Sequence, residues 1–220
     1  MLALDLRGVR AVVALAAHPD DLEIAAGGLL LTLAAAAPGV RVHYVLFTGS
    51  PERQLEAQAA AWAFLPGVRL TMATHELPDG RLPAHWGSAK EIVEAAAREV
   101  PAELVLAPTR DDAHQDHRTV AELATTAFRD ALVLHYEIPK WDGDLGRPNL
   151  YLPLDEPTAR RKAELLHSCF PSQKGRDWWD DEVFLGLARL RGMECRSRYA
   201  EAFTCHKAVL QLQPTPTDNS

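Results

Sequence analysis

Short apolar runs alternate with longer mixed segments along most of this chain. The apolar runs predict five buried β-strands, over 9–17, 40–47, 68–73, 103–107 and 132–138. The segments between them have helical composition and predict helices over 22–37, 51–64, 86–100 and 118–128. Regular alternation of strand and helix favours an α/β fold, with a mainly parallel sheet and helices on both of its faces.

The pattern changes after residue 138. Residues 140–153 contain Trp141 among many Asp, Gly, Pro and Asn residues, which predicts a loop with an acidic, aromatic tip. Beyond it we predict helices over 156–169 and 181–192, strands over 197–203 and 208–212, and a tail over 213–220. We expect one domain over residues 1–220, in which the loop-rich part 140–220 is a small C-terminal elaboration that helps to shape the substrate site.

Composition limits the classes of partner. The chain of 220 residues has 30 acidic and 23 basic residues, a formal net charge of -7, and 47% hydrophobic residues. Nucleic acid binding needs clustered Lys and Arg, so we expect no nucleic acid partner. The longest apolar helical stretch, near 24–37, is short for a membrane span, and the N-terminus lacks the apolar core of a signal peptide, so we expect a cytoplasmic protein without a membrane span.

Two clusters of His and Asp stand where predicted strands end. His18-Pro19-Asp20-Asp21 follows the first strand, and His114-Gln115-Asp116-His117 follows the fourth. Ligands of open parallel sheets bind beyond the carboxyl ends of the strands, so we expect the two clusters to converge. Catalytic zinc takes three ligands from His and carboxylate side chains and leaves one position for water. The sequence therefore predicts a metal-dependent hydrolase.

The residue types suggest a division of roles in such a site. Three residues would form a metal-ligand set of two imidazoles and one carboxylate: His18, Asp21 and His117. Asp20 would take the proton of the attacking water, and His114 would protonate the leaving group. Asp116 would hold His114 in the required tautomer.

Plainer interpretations exist for the same residues. Either carboxylate of the first cluster would also serve as a helix N-cap, and the histidines of the second would also suit a solvated helix start. Gly27-Gly28 favours close packing of helix on sheet over phosphate binding, because no GxGxxG pattern follows the first strand. Trp141 is compatible with either a packing role or a sugar-facing lip of the site.

Taken together, the motifs point to a known family. They are His18-Pro19-Asp20-Asp21-Leu22-Glu23 followed by Gly27-Gly28, and His114-x-Asp116-His117 downstream. They resemble the PIG-L/LmbE-like N-acetylglucosaminyl deacetylase family. The resemblance implies a Rossmann-like fold and removal of acetyl groups from N-acetylglucosaminyl compounds with a divalent metal, usually zinc.

The resemblance also implies roles for single residues. It implies that His18, Asp21 and His117 are the metal ligands. It further implies that Asp20 is the general base and that His114 is the acid, partnered by Asp116: these are the catalytic residues of the family pattern.

Two more positions match substrate-binding residues of the family, namely Arg53 and Asp79. The plainer interpretations are an ion pair of Arg53 with Glu56 on a helix surface and a simple turn at Asp79-Gly80. The stretches 136–144 and 199–203 resemble a bacterial subgroup.

One position departs from some family members. Asp112 stands two residues before His114, where thiol-pathway members place a Tyr that donates to the oxyanion. A carboxylate does not stabilise an oxyanion unless it is protonated. The metal, a protonated His114 or a donor from a loop would then do that work.

We therefore expect a zinc-dependent hydrolase that removes the acetyl group from an N-acetylated amino sugar or conjugate. The expected partner is this small molecule, with Fe²⁺ as an alternative metal and a homo-oligomer implied by the resemblance. The alternative within enzymes is a metal-dependent amidase that cleaves a larger amide, such as a thiol-sugar conjugate. Alternatives of other classes are a carbohydrate-binding or scaffold protein and a nucleotide-binding protein that uses the switch point of a Rossmann-like sheet, where the strand order reverses.

Overall fold

The computed structural model describes residues 3–210, and their strands form one seven-stranded sheet. In chain order the strands are β1 (Ala11–Ala16), β2 (Arg41–Thr48), β3 (Arg69–Leu77), β4 (Leu104–Pro108), β5 (Leu132–Tyr136), β6 (Leu150–Leu154) and β7 (Tyr199–Thr204). They lie in the order β3-β2-β1-β4-β5-β7-β6. Strands β1 to β5 pair in parallel, and β7 pairs antiparallel with both β5 and β6. The predicted α/β fold with a mainly parallel sheet is confirmed.

Helices cover both faces of this sheet. They are α1 (Asp21–Ala36), α2 (Pro51–Phe64), α3 (Trp86–Glu99), α4 (Gln115–Ala127), α5 (Glu156–Cys169) and α6 (Asp181–Cys195). Alternate residues of β1 point to opposite faces, as the period of a strand requires. Val12 and Ala14 join a core with α1, α2 and α5, whereas Val13 and Leu15 join a second core with α3 and α4. Within residues 3–210, no helix combines the length and the apolar character that crossing a bilayer requires.

Two of the predicted elements need correction. The predicted loop over 140–153 ends in strand β6. The sequence pattern did not predict this strand, because the strand contains Pro153. Pro is tolerated there because β6 is at the edge of the sheet and needs a partner on one side only. The predicted strand over 208–212 is wrong for residues 208–210, which are exposed and lie in no strand, while 211–212 and the tail 213–220 are outside the described residues.

The Gly27-Gly28 pair permits close packing, as one of the two interpretations proposed. A Cβ on Gly27 would lie 2.6 Å from Cε1 of Phe64, and one on Gly28 would lie 2.5 Å from Cδ1 of Leu154. Both of these side chains are buried in the packed interior, so a larger residue at 27 or 28 would push α1 away from its neighbours.

Helix α1 is broken just before these glycines, and a buried carboxylate caps the second half. Ala26 has φ −131° and ψ 16°. The backbone N–H groups of Gly28 and Leu29 donate to Glu201 of β7 over 2.6 Å and 2.7 Å. The Lys162 ammonium of α5 lies 2.7 Å from the same carboxylate. This buried pair joins the C-terminal part of the chain to α1, which carries the first His/Asp cluster at its start.

Candidate metal centre

The two clusters meet at the carboxyl edge of the sheet, where β1 and β4 are neighbours. From this point the strand order runs one way to β3 and the other way to β6, so the connections after β1 and β4 pass to opposite faces. His18 follows β1 directly, and His117 lies in the first turn of α4, after β4. The crevice between the two connections therefore receives side chains from both clusters.

Three ligand-type atoms form a small triangle in this crevice. Nδ1 of His18 lies 3.0 Å from Nε2 of His117, and Oδ2 of Asp21 lies 3.4 Å and 3.3 Å from these two nitrogens. A tetrahedral zinc ion with bonds of about 2.0–2.2 Å separates its ligand atoms by about 3.3 Å. The side chains are at most 10% exposed. The residues present therefore fit a divalent metal.

A second grouping of ligand-type atoms lies on the other side of His18. It comprises His18, Asp79, His114 and Asp116, with ligand atoms within 4.8 Å of one another. His114 is also within 4.8 Å of the nitrogens of His18 and His117. The atoms of the triangle lie within 3.4 Å of one another, closer than the limit that defines the second grouping, so the triangle is the candidate ligand set.

Carboxylates lie behind both histidines of the triangle. Oδ2 of Asp112 lies 2.9 Å from Nδ1 of His117. Nε2 of His18 lies 3.2 Å from Oδ2 of Asp116 and 3.1 Å from Oδ1 of Asp79. A carboxylate in this position fixes the tautomer and the orientation of an imidazole ligand. Each histidine is thus held with its other nitrogen directed towards the triangle.

The predicted partnership of Asp116 with His114 is wrong in its details. The carboxylate of Asp116 accepts N–H groups of Gly80 and Leu82 over 2.7 Å and 2.9 Å and faces His18. It is the backbone N–H of Asp116 that donates to Nδ1 of His114, over 3.2 Å. His114 is the N-cap residue of α4, which explains the contact, because an N-cap side chain accepts from an amide two or three residues on.

This contact also sets the tautomer of His114. Since Nδ1 accepts a hydrogen bond, the proton of the neutral ring is on Nε2. Burial lowers the pKa of His114, and the positive charges of His18 and His117 lower it further. The ring is therefore held as a neutral N–H donor.

Asp20 occupies the N-cap position of α1 without capping it. Its backbone is left-handed, with φ 94°, and its carboxylate makes no cap hydrogen bond. Arg53 of α2 donates instead to Oδ2 of Asp20 over 2.9 Å and to the carbonyl oxygen of Pro19 over 2.6 Å. Such backbone strain in a non-glycine residue is typical of functional sites.

The pKa of Asp20 is raised to about 7, since burial disfavours the carboxylate more than Arg53 stabilises it. For His117, burial alone would lower the pKa, but Asp21 and Asp112 raise it to about 9. Burial would raise the pKa of Asp21, yet His117 and His18 hold it well below its usual value. The triangle therefore behaves as a tight set of opposite charges.

The two predicted substrate positions both reach the site. Arg53 pairs with Asp20, and Glu56 instead accepts the backbone N–H of Ser172 over 2.8 Å. The interpretation of Arg53 and Glu56 as a surface ion pair is therefore wrong. Asp79 is in the predicted turn, and its side chain is 61% exposed while it contacts His18. Whether Arg53 and Asp79 bind substrate stays a prediction.

Two residues that contact the site, Asp112 and Lys140, were not predicted from the sequence to contribute to it. Asp112 drew attention only as a departure from a family pattern, and nothing in its spacing connects it to His117. Lys140 stands in the predicted loop, and its ammonium lies 3.0 Å from Oδ1 of Asp112. Next to it, Trp141 is 65% exposed and donates to Asp177 over 3.0 Å, so an exposed aromatic ring extends from this loop.

The fold and the site define a Rossmann-like α/β protein with a cluster of His and Asp side chains that fits a divalent metal, at the edge of the sheet where the strand order reverses. Residues 13–128 match the PIG-L family, described as GlcNAc-PI de-N-acetylase, and the chain belongs to this family. Among curated proteins, no match to this chain is found.

Solved structures share the fold at low sequence identity. A conserved protein of Thermus thermophilus has 20% identity and a TM-score of 0.74, over 94% of this chain and 99% of its own. The N,N'-diacetylchitobiose deacetylase of Pyrococcus horikoshii has 20% identity and a TM-score of 0.70, over 90% and 84%. GalB, the 4-carboxy-2-hydroxymuconate hydratase of Pseudomonas putida, has 17% identity and a TM-score of 0.74, over 94% and 100%. A deacetylase and a hydratase thus share this fold, and the site has to decide the reaction.

Proposed function

We propose that this protein is a zinc-dependent N-deacetylase that releases acetate and a free amine from an N-acetylated amino sugar or its conjugate. The observation that supports it best is the triangle of His18, Asp21 and His117 with the Asp20 carboxylate beside it, in a chain of the PIG-L family. The chitobiose deacetylase fold adds support for the sugar class. Two imidazoles and one carboxylate also bind other divalent ions, so Fe²⁺ is the alternative metal.

The metal supplies the electrophilic part of the chemistry. Held by His18, Asp21 and His117, a divalent ion would polarise the acetamide carbonyl and activate water at neutral pH.

Asp20 is the proposed general base. Arg53 holds Oδ2 of Asp20, whereas Oδ1 has no hydrogen-bond partner within residues 3–210. Oδ1 therefore takes the proton of the attacking water. Burial raises the pKa of Asp20 to about 7 in the metal-free site, and a bound cation would lower it, which keeps the carboxylate available as a base at neutral pH.

His114 would place a proton at the carbonyl oxygen. To act as the acid for the leaving amine, its ring would need a second proton on Nδ1, which would displace the N–H of Asp116. We therefore propose that Nε2–H donates a hydrogen bond to the developing oxyanion, in place of the missing Tyr. The proton that Asp20 takes from water then passes to the amine nitrogen as the C–N bond breaks.

The sugar would lie between Asp79 and Trp141. One oxygen of Asp79 faces His18, and the exposed remainder of the carboxylate is available to a sugar hydroxyl. An exposed Trp offers an apolar face for the sugar ring. We further propose that residues 1–220 act as one domain, since β6 and β7 extend the sheet that carries the site. A cytoplasmic location and a homo-oligomer stay predictions.

The test is product analysis on purified, metal-defined protein. N-acetylglucosamine, N,N'-diacetylchitobiose and acetylated thiol-sugar conjugates are incubated with the apoprotein and with the zinc-loaded and iron-loaded forms. We expect acetate release that a chelator abolishes and metal restores. Release of a larger acid instead would support the amidase alternative, and addition of water to an unsaturated acid without any acid release would support a hydratase. Acetate release that is unaffected by complete metal removal would refute the proposal.

A further inference from the structure

Lys140 has two carboxylate partners, of which Asp112 is buried and Asp144 is partly buried. It lies in the segment between β5 and β6, and its ammonium is 3.0 Å from Oδ1 of Asp112 and 2.6 Å from Oδ2 of Asp144. The side chains of Lys140 and Asp144 are 12% and 13% exposed, and that of Asp112 is 1% exposed. A cation so removed from water is retained only with its charge well paired.

Asp112 connects this cation to a ligand of the metal centre. Its Oδ1 accepts the backbone N–H of His114 over 2.8 Å, and its Oδ2 lies 2.9 Å from Nδ1 of His117. Neither Oδ2 of Asp112 nor Nδ1 of His117 makes a hydrogen bond of regular geometry within residues 3–210, so their 2.9 Å contact is the main polar interaction open to each atom. The position of Asp112 therefore decides the orientation of the His117 ring.

Asp144 connects the same cation to the neighbouring backbone. Its Oδ2 accepts the N–H of Ala113 over 2.7 Å. Lys140 thus joins the loop to the segment 112–114 through two carboxylates, one behind His117 and one on the loop itself.

We propose that Lys140 is a positioning residue of the metal centre, which acts on His117 through Asp112. The ammonium fixes the Asp112 carboxylate, and that carboxylate holds His117 with Nδ1–H turned away and Nε2 directed to the triangle with His18 and Asp21. The inference rests on the proposed function, because it needs a metal at the triangle. It also gives the predicted loop a role in metal binding as well as in shaping the mouth of the site.

A merely structural role makes a different prediction. If Lys140 only fastens the loop, then losing Lys140 and losing Asp144 would have the same effect, and neither would act through Asp112. If it acts on His117, removal of Lys140 resembles removal of Asp112, whose loss takes away the contact with the ligand itself. Partners of this kind are worth about 10–100-fold in metal affinity.

The experiment measures zinc and cobalt affinity by competition with a chromophoric chelator, together with the absorption spectrum of the cobalt-loaded protein. We expect Asp112→Asn to weaken metal binding about 10–100-fold and Lys140→Met about tenfold, with an altered cobalt spectrum in both. Lys140→Arg, which keeps the charge, should restore most of the affinity, and Asp144→Asn should cost less than about threefold. Lys90→Met removes a lysine paired with Glu94 on α3, outside the site, and is the matched control.

The outcomes separate the two proposals. Wild-type protein that does not bind the metal would overturn the proposed function. If wild-type protein binds the metal, but Lys140→Met has the same metal affinity as wild type or as Asp144→Asn, only the role of Lys140 would be overturned. If circular dichroism shows that Lys140→Met does not fold, Lys140→Gln replaces it, because the amide keeps a hydrogen-bond donor for Asp112. Lys140→Gln should weaken metal binding less than Asp112→Asn does. A metal affinity of Lys140→Gln equal to that of wild type would count against the proposal.

Discussion

Replacing Arg53 with Met should move the pH dependence of catalysis to higher pH. In the structure Arg53 is the cation that holds the buried Asp20 carboxylate, 2.9 Å from Oδ2, and its side chain is 22% exposed. Without that cation, burial loses its strongest opponent and the pKa of Asp20 rises above its value of about 7. The base must be deprotonated to work, so the acidic limb of the rate profile shifts upwards.

The size of this shift follows from the separation of the charges. Two unit charges about 4 Å apart interact by about 4 kcal/mol at an effective dielectric constant of about 20, which corresponds to about three pKa units. Because Arg53 keeps contact with solvent, water compensates part of the loss, and we expect a rise of about one to two units. On the acidic limb, below the pKa of Asp20, the variant should therefore be about 10–100-fold slower, and it should recover at higher pH.

The assay is kcat/KM against pH for wild type, Arg53→Met and Arg53→Lys with the zinc-loaded enzyme. A bound cation lowers the pKa of Asp20 in all three proteins, so the difference between them is the quantity to compare. Arg53→Lys should stay close to wild type, and Arg160→Met, which removes an exposed partner of Glu156 on α5, serves as the control. An unmoved acidic limb with a raised KM would show that Arg53 only binds substrate and would refute this reasoning.

Three further predictions test the base, the ligand set and the packing beneath them. Asp20→Asn should lower kcat about 10²–10⁴-fold with zinc still bound, whereas Asp21→Asn should lose zinc; equal zinc loss in both would contradict the assignment. Because the pKa of His117 is raised to about 9, zinc must displace protons when it binds at neutral pH. Calorimetry in buffers of different ionisation enthalpy should show this proton release, and zinc affinity should rise about tenfold per pH unit for each proton released. A zinc affinity that does not change between about pH 6 and 8 would contradict this prediction. Glu201→Leu leaves the ammonium of Lys162 and two N–H groups of α1 unpaired, so the free energy of unfolding in urea should fall by about 3–5 kcal/mol. The double variant Lys162→Met/Glu201→Gln should lose less. A decrease below about 1 kcal/mol for Glu201→Leu would be inconsistent with the buried pair.

The sheet and the meeting of the two clusters were predictable because both follow from local patterns. Short apolar runs separated by helices define parallel strands, and the carboxyl ends of such strands share one edge. His18 and His117 each stand just beyond such an end, so their approach to 3.0 Å follows from the topology.

The contacts around the ligands were less predictable, because they depend on segments distant in the chain. Sequence spacing places Asp116 two residues from His114, which suggests a direct partnership. Once α4 begins at Gln115, however, the His114 ring caps the helix and the Asp116 carboxylate turns to the N–H groups near Gly80. Lys140 is hidden in the same way, since it is one charged residue in a loop whose fold is set by long-range contacts.

The most direct test of the metal centre is a crystal structure of the zinc-loaded protein with anomalous diffraction at the zinc edge. The account predicts one strong peak about 2.0–2.2 Å from Nδ1 of His18, Oδ2 of Asp21 and Nε2 of His117. A peak held instead by Asp79, His114 and Asp116, or no bound zinc at these residues, would contradict it.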